Sequence, residues 1–558
     1  MIGVIPKPEQ VAAVEEFFEL FKTPWELYRA GRSYDAVIVT TDKIPAVEAT
    51  LLLVYGSAGK ELDARQRISA GRLVRGAVLE TGRHRIPIYR DLLTFSDCGH
   101  GVPCARTGSQ VAGVRVDHQD TTIVRFGFDL FEEVRALLTE GQPAEHAATP
   151  SLDLHIALVR EWILASGSPL VEIPPRPAGH DFVVCLTHDI DFVGIRRHFL
   201  DHSMWGFVLR ATVGSVRNFF RGRLSLHQVW SCWRAAASLP LVFAGWMKDF
   251  WEPFDWYLAV EKSLPSTYFL IPFKHRAGDG VPGRHASRRA SAYDVSDLPG
   301  QIATLQAAGC ELGVHGIDAW HSPEKGREEL AALTKASGQS RTGIRMHWLL
   351  QDAHTPAVLE KAGYAYDSSC GYNETVGYRA GTTQVFRPLD AKALLELPMH
   401  IQDGALFYPQ RLDLSDEAAE KRWHELANNS IALGGVLTVL WHDRSHAPER
   451  FWGDFYKKMV AQLKAMDAWF ATGSEVVNWF DQRRQVSFDC ASESDQRLVR
   501  LRYQGSKLEQ SLRVRVHEAE KGTTAFRDIP WDGKSGSLEI RLAEDQPVAP
   551  EGVVCQPS

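Results

Sequence analysis

Two aspartates one residue apart, Asp189 and Asp191 in Thr187-His188-Asp189-Ile190-Asp191, close the apolar run Phe182-Val183-Val184-Cys185-Leu186. The run reads as a buried strand, and α/β folds place reacting groups at the carboxyl ends of strands. Carboxylates so spaced suit a division of labour, one binding a metal and the other remaining free as a base. Alone, the pair reads equally well as a solvated turn. Four later segments supply what an Asp–metal hydrolase needs. Glu311-Leu312-Gly313-Val314-His315-Gly316-Ile317-Asp318-Ala319-Trp320-His321 sets two imidazoles and a carboxylate after a short apolar strand. Such a facial set leaves coordination positions open, as catalytic zinc or iron requires. Arg345-Met346-His347-Trp348 follows Gly343, and Leu395-Glu396-Leu397-Pro398-Met399-His400-Ile401-Gln402-Asp403 comes next. Val436-Leu437-Thr438-Val439-Leu440-Trp441-His442-Asp443 is another buried strand ending in His and Asp. A histidine alone at a strand end, such as His400, reads as structural. His188 points away from its two neighbouring aspartates, because side chains alternate along a strand, and takes no role.

The elements that must position these residues occupy only part of the chain. At 558 residues it is too long for one core, and two to four domains are expected. Its 44% hydrophobic and 23% charged content is ordinary for a globular protein, and a net charge of -7 argues against a nucleic-acid binder. Eight scattered cysteines read as reduced thiols. The start, Met1-Ile2-Gly3-Val4-Ile5-Pro6-Lys7-Pro8, lacks the basic and apolar regions of a secretory signal, so a cytoplasmic location is expected. No run of 18 apolar residues predicts a transmembrane helix. Nothing in the sequence fixes an oligomeric state.

Residues 1–175 read as an N-terminal α/β domain of structural or partner-binding role. It has a helix near Pro8–Phe21, strands over Asp35–Thr40 and Leu51–Tyr55, and helices around Asp129–Leu138 and Leu154–Ala165. Glu172-Ile173-Pro174-Pro175-Arg176-Pro177 breaks both periodicities and marks the boundary. Residues 176–485 carry every candidate site residue. They include a helical insertion over about 192–262, rich in Trp and Arg, before the next strand at Ser266–Ile271. The insertion reads as a cap with solvated arginines or, over 196–256, as a substrate roof or peripheral membrane contact. Beyond 486 the runs Leu498–Tyr503, Leu512–Val516 and Leu538–Leu542 alternate like half-exposed strands, giving a small β-rich appendage with Ala543–Ser558 as a loose tail.

In order and spacing, the five segments resemble the polysaccharide deacetylases of the NodB-homology type, carbohydrate esterase family four. The resemblance covers roughly Phe182 to Gln485. Gly363-Tyr364-Ala365-Tyr366-Asp367-Ser368-Ser369 and Gly377-Tyr378-Arg379-Ala380-Gly381-Thr382 look like a branch found with exopolysaccharide genes. The resemblance implies an α/β fold with a distorted (β/α) barrel. It assigns Asp189 as catalytic base, Asp191 and His315 as metal ligands, Arg345 as the arginine that orients the base, and His442 as general acid, with Asp403 tuning that histidine. The family's second metal histidine stands four residues after the first, where this chain has Ala319. The third ligand is then His321, six residues on, with Asp318 as the alternative. Trp348 stands where the family commonly has a Pro-Tyr pair. The cofactor implied is a divalent metal, zinc first, with iron, cobalt, nickel or manganese also suited.

The function expected is removal of N-acetyl or another acyl group from an amino-sugar glycan or a lipid-linked precursor. Asp189 would act as base and His442 as acid on a metal-activated water. Two alternatives stand beside it. One is hydrolysis of a non-glycan C–N bond, as in a cyclic imide or ureide; the other is a glycan-binding pseudoenzyme or scaffold, which the displaced second histidine favours.

Overall fold

The structure is a computed structural model and describes all residues except 119, 282, 284, 285, 494, 495, 506, 507, 521, 522 and 544–558. The expected tail from 544 onward therefore lies outside the described residues.

Phe182–Ile190 is buried at all nine positions. An apolar strand covered on both faces belongs in the middle of a parallel sheet, and that is its place. To one side lie Ser266–Leu270, Glu311–Gly316, Ile344–Met346, Tyr366–Asp367 and Leu395–Glu396 in turn; to the other lie Val436–Leu440 and then Ile401–Gln402. Each pairing in this ladder is parallel. Among the described residues no ladder joins Leu395–Glu396 to Ile401–Gln402. The expected distorted barrel is thus a curled parallel sheet, open along one seam. Residues 397–400 cross that seam, with Leu397 N donating to Asp367 O and His400 N to Thr438 O. The crossover helices include Pro323–Ser337, capped by Ser322 and ended by left-handed Gly338, and Gly473–Arg484, which opens on a Thr472–Glu475 capping box.

The amino-terminal region builds its own sheet. The strands Trp25–Leu27, Ile2–Ile5, Ser33–Val39, Glu48–Tyr55 and Thr121–Phe126 run parallel, with Val11–Phe21 and Leu130–Thr139 among the helices. An antiparallel half over 69–118, which the sequence analysis did not anticipate, continues from Thr121–Phe126. At the other end, two three-stranded antiparallel sheets form; one of them recruits Leu170–Glu172 beside Leu512–Glu520. The regions interlock. Arg483, fully buried, donates to the carbonyls of Ile173, Glu19 and Leu20. Asp153 accepts from Thr382 Oγ1 and Thr383 N, each at 2.7 Å.

The insertion forms the helices His202–Leu209, Ser215–Phe220, Leu226–Phe243 and Phe254–Val260, with a π-helical turn at Arg210–Gly214. It packs around a small core that includes Met204, Phe207, Trp251 and, from the main body, Ala447.

Gly343 lets the strand Ile344–Met346 lie flat against Tyr366; a Cβ there would come within 2.1 Å of the ring. The ring cannot retreat easily, because its hydroxyl donates to buried Glu311 at 3.0 Å, and Glu311 also accepts from Thr267 and Ser474. Gly343→Ala is therefore expected to destabilise the fold by about 1–3 kcal/mol, as overpacking does. Thermal unfolding checks this; an unchanged midpoint would mean the Tyr366 ring yields freely.

Candidate metal centre

Alternation along Phe182–Ile190 and its exit turns Asp189 and Asp191 to the same side, toward the carboxyl end of the sheet. His188 turns the other way, wholly buried, with Nε2 at 2.8 Å from Glu261 and Nδ1 at 2.9 Å from the Trp441 carbonyl. The register pairs His315 with Arg345 on adjacent strands. Arg345 is fully buried and spans back to the central strand, donating to Asp189 Oδ1 (3.0 Å), Thr187 Oγ1 (2.8 Å) and both Oγ and O of Ser368.

Asp191, His315 and His347 converge, each offering a ligand atom within 4.8 Å of the others. Nε2 of His315 lies 3.3 Å from Asp191 Oδ1, and Nε2 of His347 lies 3.4 Å from the same oxygen. Ligand atoms about 2.0–2.2 Å from a tetrahedral zinc stand about 3.3 Å apart, so this spacing fits. The same Oδ1 is buried without a hydrogen-bond partner, as an atom awaiting a cation would be. His315 Nδ1 meets the Arg345 carbonyl at 3.0 Å, which places the proton there and leaves Nε2 free to ligate. Burial works against the Asp191 charge, yet the facing His347 and His315 hold its carboxyl far below the usual range. Burial likewise keeps the His347 imidazole neutral, as a ligand must be.

His347, not His321, thus stands with Asp191 and His315. His321 is turned to Asp318, with Nε2 at 3.3 Å from its Oδ1, and Asp318 in turn accepts from Asp279 N at 2.7 Å. Ala319 is buried in the apolar core. The third candidate ligand comes from the neighbouring strand rather than from the loop after His315. Its carbonyl is gripped by Arg289, a buried guanidinium whose other donors reach the carbonyls of Gly316, Ile317 and Ala277. One side chain so fixes the backbone behind both imidazoles, and no motif announces it. The two residues after His347 are left-handed, Trp348 at φ 65° and Leu349 at φ 53°, and Asn373 Nδ2 holds the Trp348 carbonyl at 3.0 Å. The neighbouring Tyr372 donates to the Gln142 carbonyl of the amino-terminal region at 2.7 Å.

His442 lines the same cleft. Its Nδ1 is 2.6 Å from Asp403 Oδ1 and its backbone N donates to Oδ2, while Ser445 donates to the same carboxylate. Burial disfavours the imidazolium, but Asp403, and then Asp191 and Asp189, raise its pKa to about 10. Asp443, unassigned in the sequence analysis, accepts from Phe192 N and Val193 N and so shapes the turn after Asp191. His400 is buried and structural, meeting the Thr438 amide and the Thr382 carbonyl.

No protein-family model and no curated protein matches the chain. Among solved structures, a Mycobacterium smegmatis protein described as a polysaccharide deacetylase shares 20% identity over 56% of this chain and 95% of its own, with a TM-score of 0.32. An allantoinase named Puue shares 14% over 55% and 92%, with a TM-score of 0.31. A family 4 acetyl xylan esterase from Clostridium thermocellum, in complex with a cobalt ion, shares 13% over 53% and 90%, with a TM-score of 0.23. At these scores the likeness identifies neither activity nor substrate; the side chains of the cleft carry the functional reading.

Proposed function

We propose that this protein is a metal-dependent hydrolase that removes acyl groups, N-acetyl foremost, from an amino-sugar glycan or glycan precursor. The observation that supports it most is the convergence of Asp191, His315 and His347, with Asp189 and His442 in the same cleft but outside the ligand set. Two imidazoles and a carboxylate suit zinc first. A divalent cation held there would lower the pKa of a bound water from 15.7 to about 7 and polarise the acyl oxygen.

The chain's own groups do the proton work. Asp189 gives Oδ1 to Arg345, which keeps Oδ2 available to take a proton from the attacking water. Arg345 also orients that carboxylate. His442, with Nδ1 held by Asp403, presents Nε2 as the acid for the leaving nitrogen. Such acid and base assistance contributes about 10²–10⁴-fold each.

The cap favours a lipid-linked precursor as substrate. Among the described residues no helix is long and apolar enough to cross a membrane, yet large apolar side chains crowd the outer face of the insertion. Phe220 and Trp246 are each 81% exposed, beside exposed Val213 and Trp230. Arg217, Arg221 and Arg234 make no side-chain hydrogen bond or ion pair among the described residues, whereas Arg223 is held by Asp413. Unpaired arginines beside exposed tryptophans suit an anionic bilayer surface.

Metal analysis of the purified protein and acetate release from N-acetylated glycans test the central proposal. His347→Ala and Asp191→Asn are expected to lose the ion and His321→Ala to keep it; the reverse pattern would move the site to the loop after His315. Asp189→Asn should keep the metal while kcat falls by about 10²–10⁴-fold, and equal metal loss from both aspartate variants would defeat the separation of roles.

A general acid must be protonated, so activity should persist at neutral pH and fall as pH rises through the pKa of His442. Asp403→Asn removes the main charge holding that pKa up, leaving burial opposed only by Asp191 and Asp189. Its alkaline limb in kcat/KM should move to lower pH, and superimposable limbs would exclude His442 as the acid.

For the cap, the wild type should sediment with vesicles containing anionic phospholipid and bind neutral ones less. Arg217→Gln with Arg221→Gln and Trp246→Ser should bind several-fold more weakly. If wild type and variant both stay in the supernatant, the cap is a structural cover.

A further inference from the structure

Three arginines line the cleft together with the candidate metal ligands: Arg411, Arg444 and Arg450. Each lies against an aromatic face. The Arg444 guanidinium carbon is 3.6 Å from the Phe192 ring centre and 4.8 Å from that of Trp251. Arg450 lies 5.2 Å from Tyr408 and 4.9 Å from Trp452, and Arg411 5.5 Å from Tyr408. Stacking fixes the plane of a guanidinium and leaves its edge of N–H donors free. Arg411 spends one donor on Gln402 Oε1 at 3.4 Å. Among the described residues, the side chains of Arg444 and Arg450 make no hydrogen bond and no ion pair.

The carboxylates nearby are engaged elsewhere. Asp443 accepts from three backbone amides, those of Phe192, Val193 and Arg444. Asp403 is held by His442 and Ser445, and Glu449 faces Arg210 at 3.7 Å and Trp251 Nε1 at 3.4 Å. Their charges still reach Arg450, where burial is outweighed by Tyr408, Glu449, Asp403 and Asp443, which raise the pKa, while the potential at Tyr408 and Arg444 is positive. Burial alone would raise the Tyr408 hydroxyl pKa, but Arg450, Arg444 and His442 draw it below the ordinary value. Burial and the repulsion of Arg450 pull Arg444 down to about 10. Half-buried, mutually repelling guanidiniums with open donors form a cradle for an oxyanion, since Arg edges match phosphate and carboxylate bidentately.

We propose that the cleft is built for a substrate carrying an oxyanion group, phosphate or carboxylate, which Arg444 and Arg450 bind, with Arg411 beside them, while the amide lies at the metal centre. The proposal rests on the hydrolase reading of the same cleft and narrows its substrate class: neutral amino-sugar chains would leave these donors empty. The anion anchors the sugar, and the metal centre acts on the acyl group.

Calorimetric binding to the full-length, zinc-loaded protein tests this without requiring turnover. N-acetylglucosamine 1-phosphate, N-acetylmuramic acid and N-acetylglucosamine supply the phosphate, the carboxylate and the neutral control. At least one anionic sugar is expected to bind about tenfold or more tighter than the neutral one, the scale of a charge-assisted hydrogen bond. The stronger of the two identifies the oxyanion. Inorganic phosphate should compete with it. Arg444→Gln with Arg450→Gln should abolish the preference, whereas a phosphate held by the metal alone would bind the variant as it binds the wild type and would overturn the proposal. Should the double variant fail to fold, the wild-type comparison still decides: equal affinity for neutral and anionic sugars defeats the anion cradle. Arg-dependent anion binding in a protein that hydrolyses no N-acetyl substrate would sink the deacetylase reading and leave the cradle standing.

Discussion

The centre of this protein depends on one buried guanidinium. Arg345 has lost its water and must find every partner inside the fold, because an unpaired buried charge is costly. It does so by bridging the central strand, through Asp189 and Thr187, to the Ser368 turn after Tyr366–Asp367, four strands along the sheet. The Phe269 ring, 4.5 Å from its carbon, covers it. Those bonds hold Asp189 in one orientation, and the Arg345 carbonyl orients His315. The proposed base and a candidate metal ligand are therefore set by the same residue, one through its side chain and the other through its backbone.

A second arginine repeats the device on the outer side of the centre. Arg289 satisfies its donors with carbonyls alone, drawn from the ends of two strands and the loop before it. Carbonyls do not neutralise the charge, so the cation adds a positive potential behind the imidazoles. Together with burial, that potential disfavours protonated His347 and favours the neutral form a metal requires. Across the cleft Asp403 does the opposite for His442. His347 and His442, within one pocket, are so pushed toward opposite protonation states.

Much of this was legible in the sequence, and the reasons differ residue by residue. Asp189 and Asp191 could be found because alternation in a buried strand is a local property, and His188 could be set aside by the same rule. His442 and Asp403 were legible as residues, although their 2.6 Å contact is a product of folding. The exchange of His321 for His347 had a different origin. Spacing after His315 looks only along the chain, whereas the parallel register sets the end of the Ile344–Met346 strand beside His315. The alternation that turns Arg345 inward also turns His347 the same way two residues later, and that was the usable signal. Arg289 carried no signal at all, since its value lies in carbonyls distant in sequence. Of the antiparallel strands over 69–118, Ser69–Val74 was missed for a plainer cause: it is largely exposed and has no apolar alternation to read.

The contact between Tyr372 and the Gln142 carbonyl has a thermodynamic consequence. Tyr372 adjoins Asn373, which holds the left-handed Trp348 next to His347. Displacing Gln142 would leave a buried hydroxyl without its acceptor, so the amino-terminal sheet and the cleft wall share a free-energy term. Linkage makes such a term reciprocal. A ligand that bound the amino-terminal region and shifted that carbonyl would change affinity in the cleft, and a filled cleft would change affinity for that ligand by the same factor. One hydrogen bond thus ties the amino-terminal region to the wall of the candidate site.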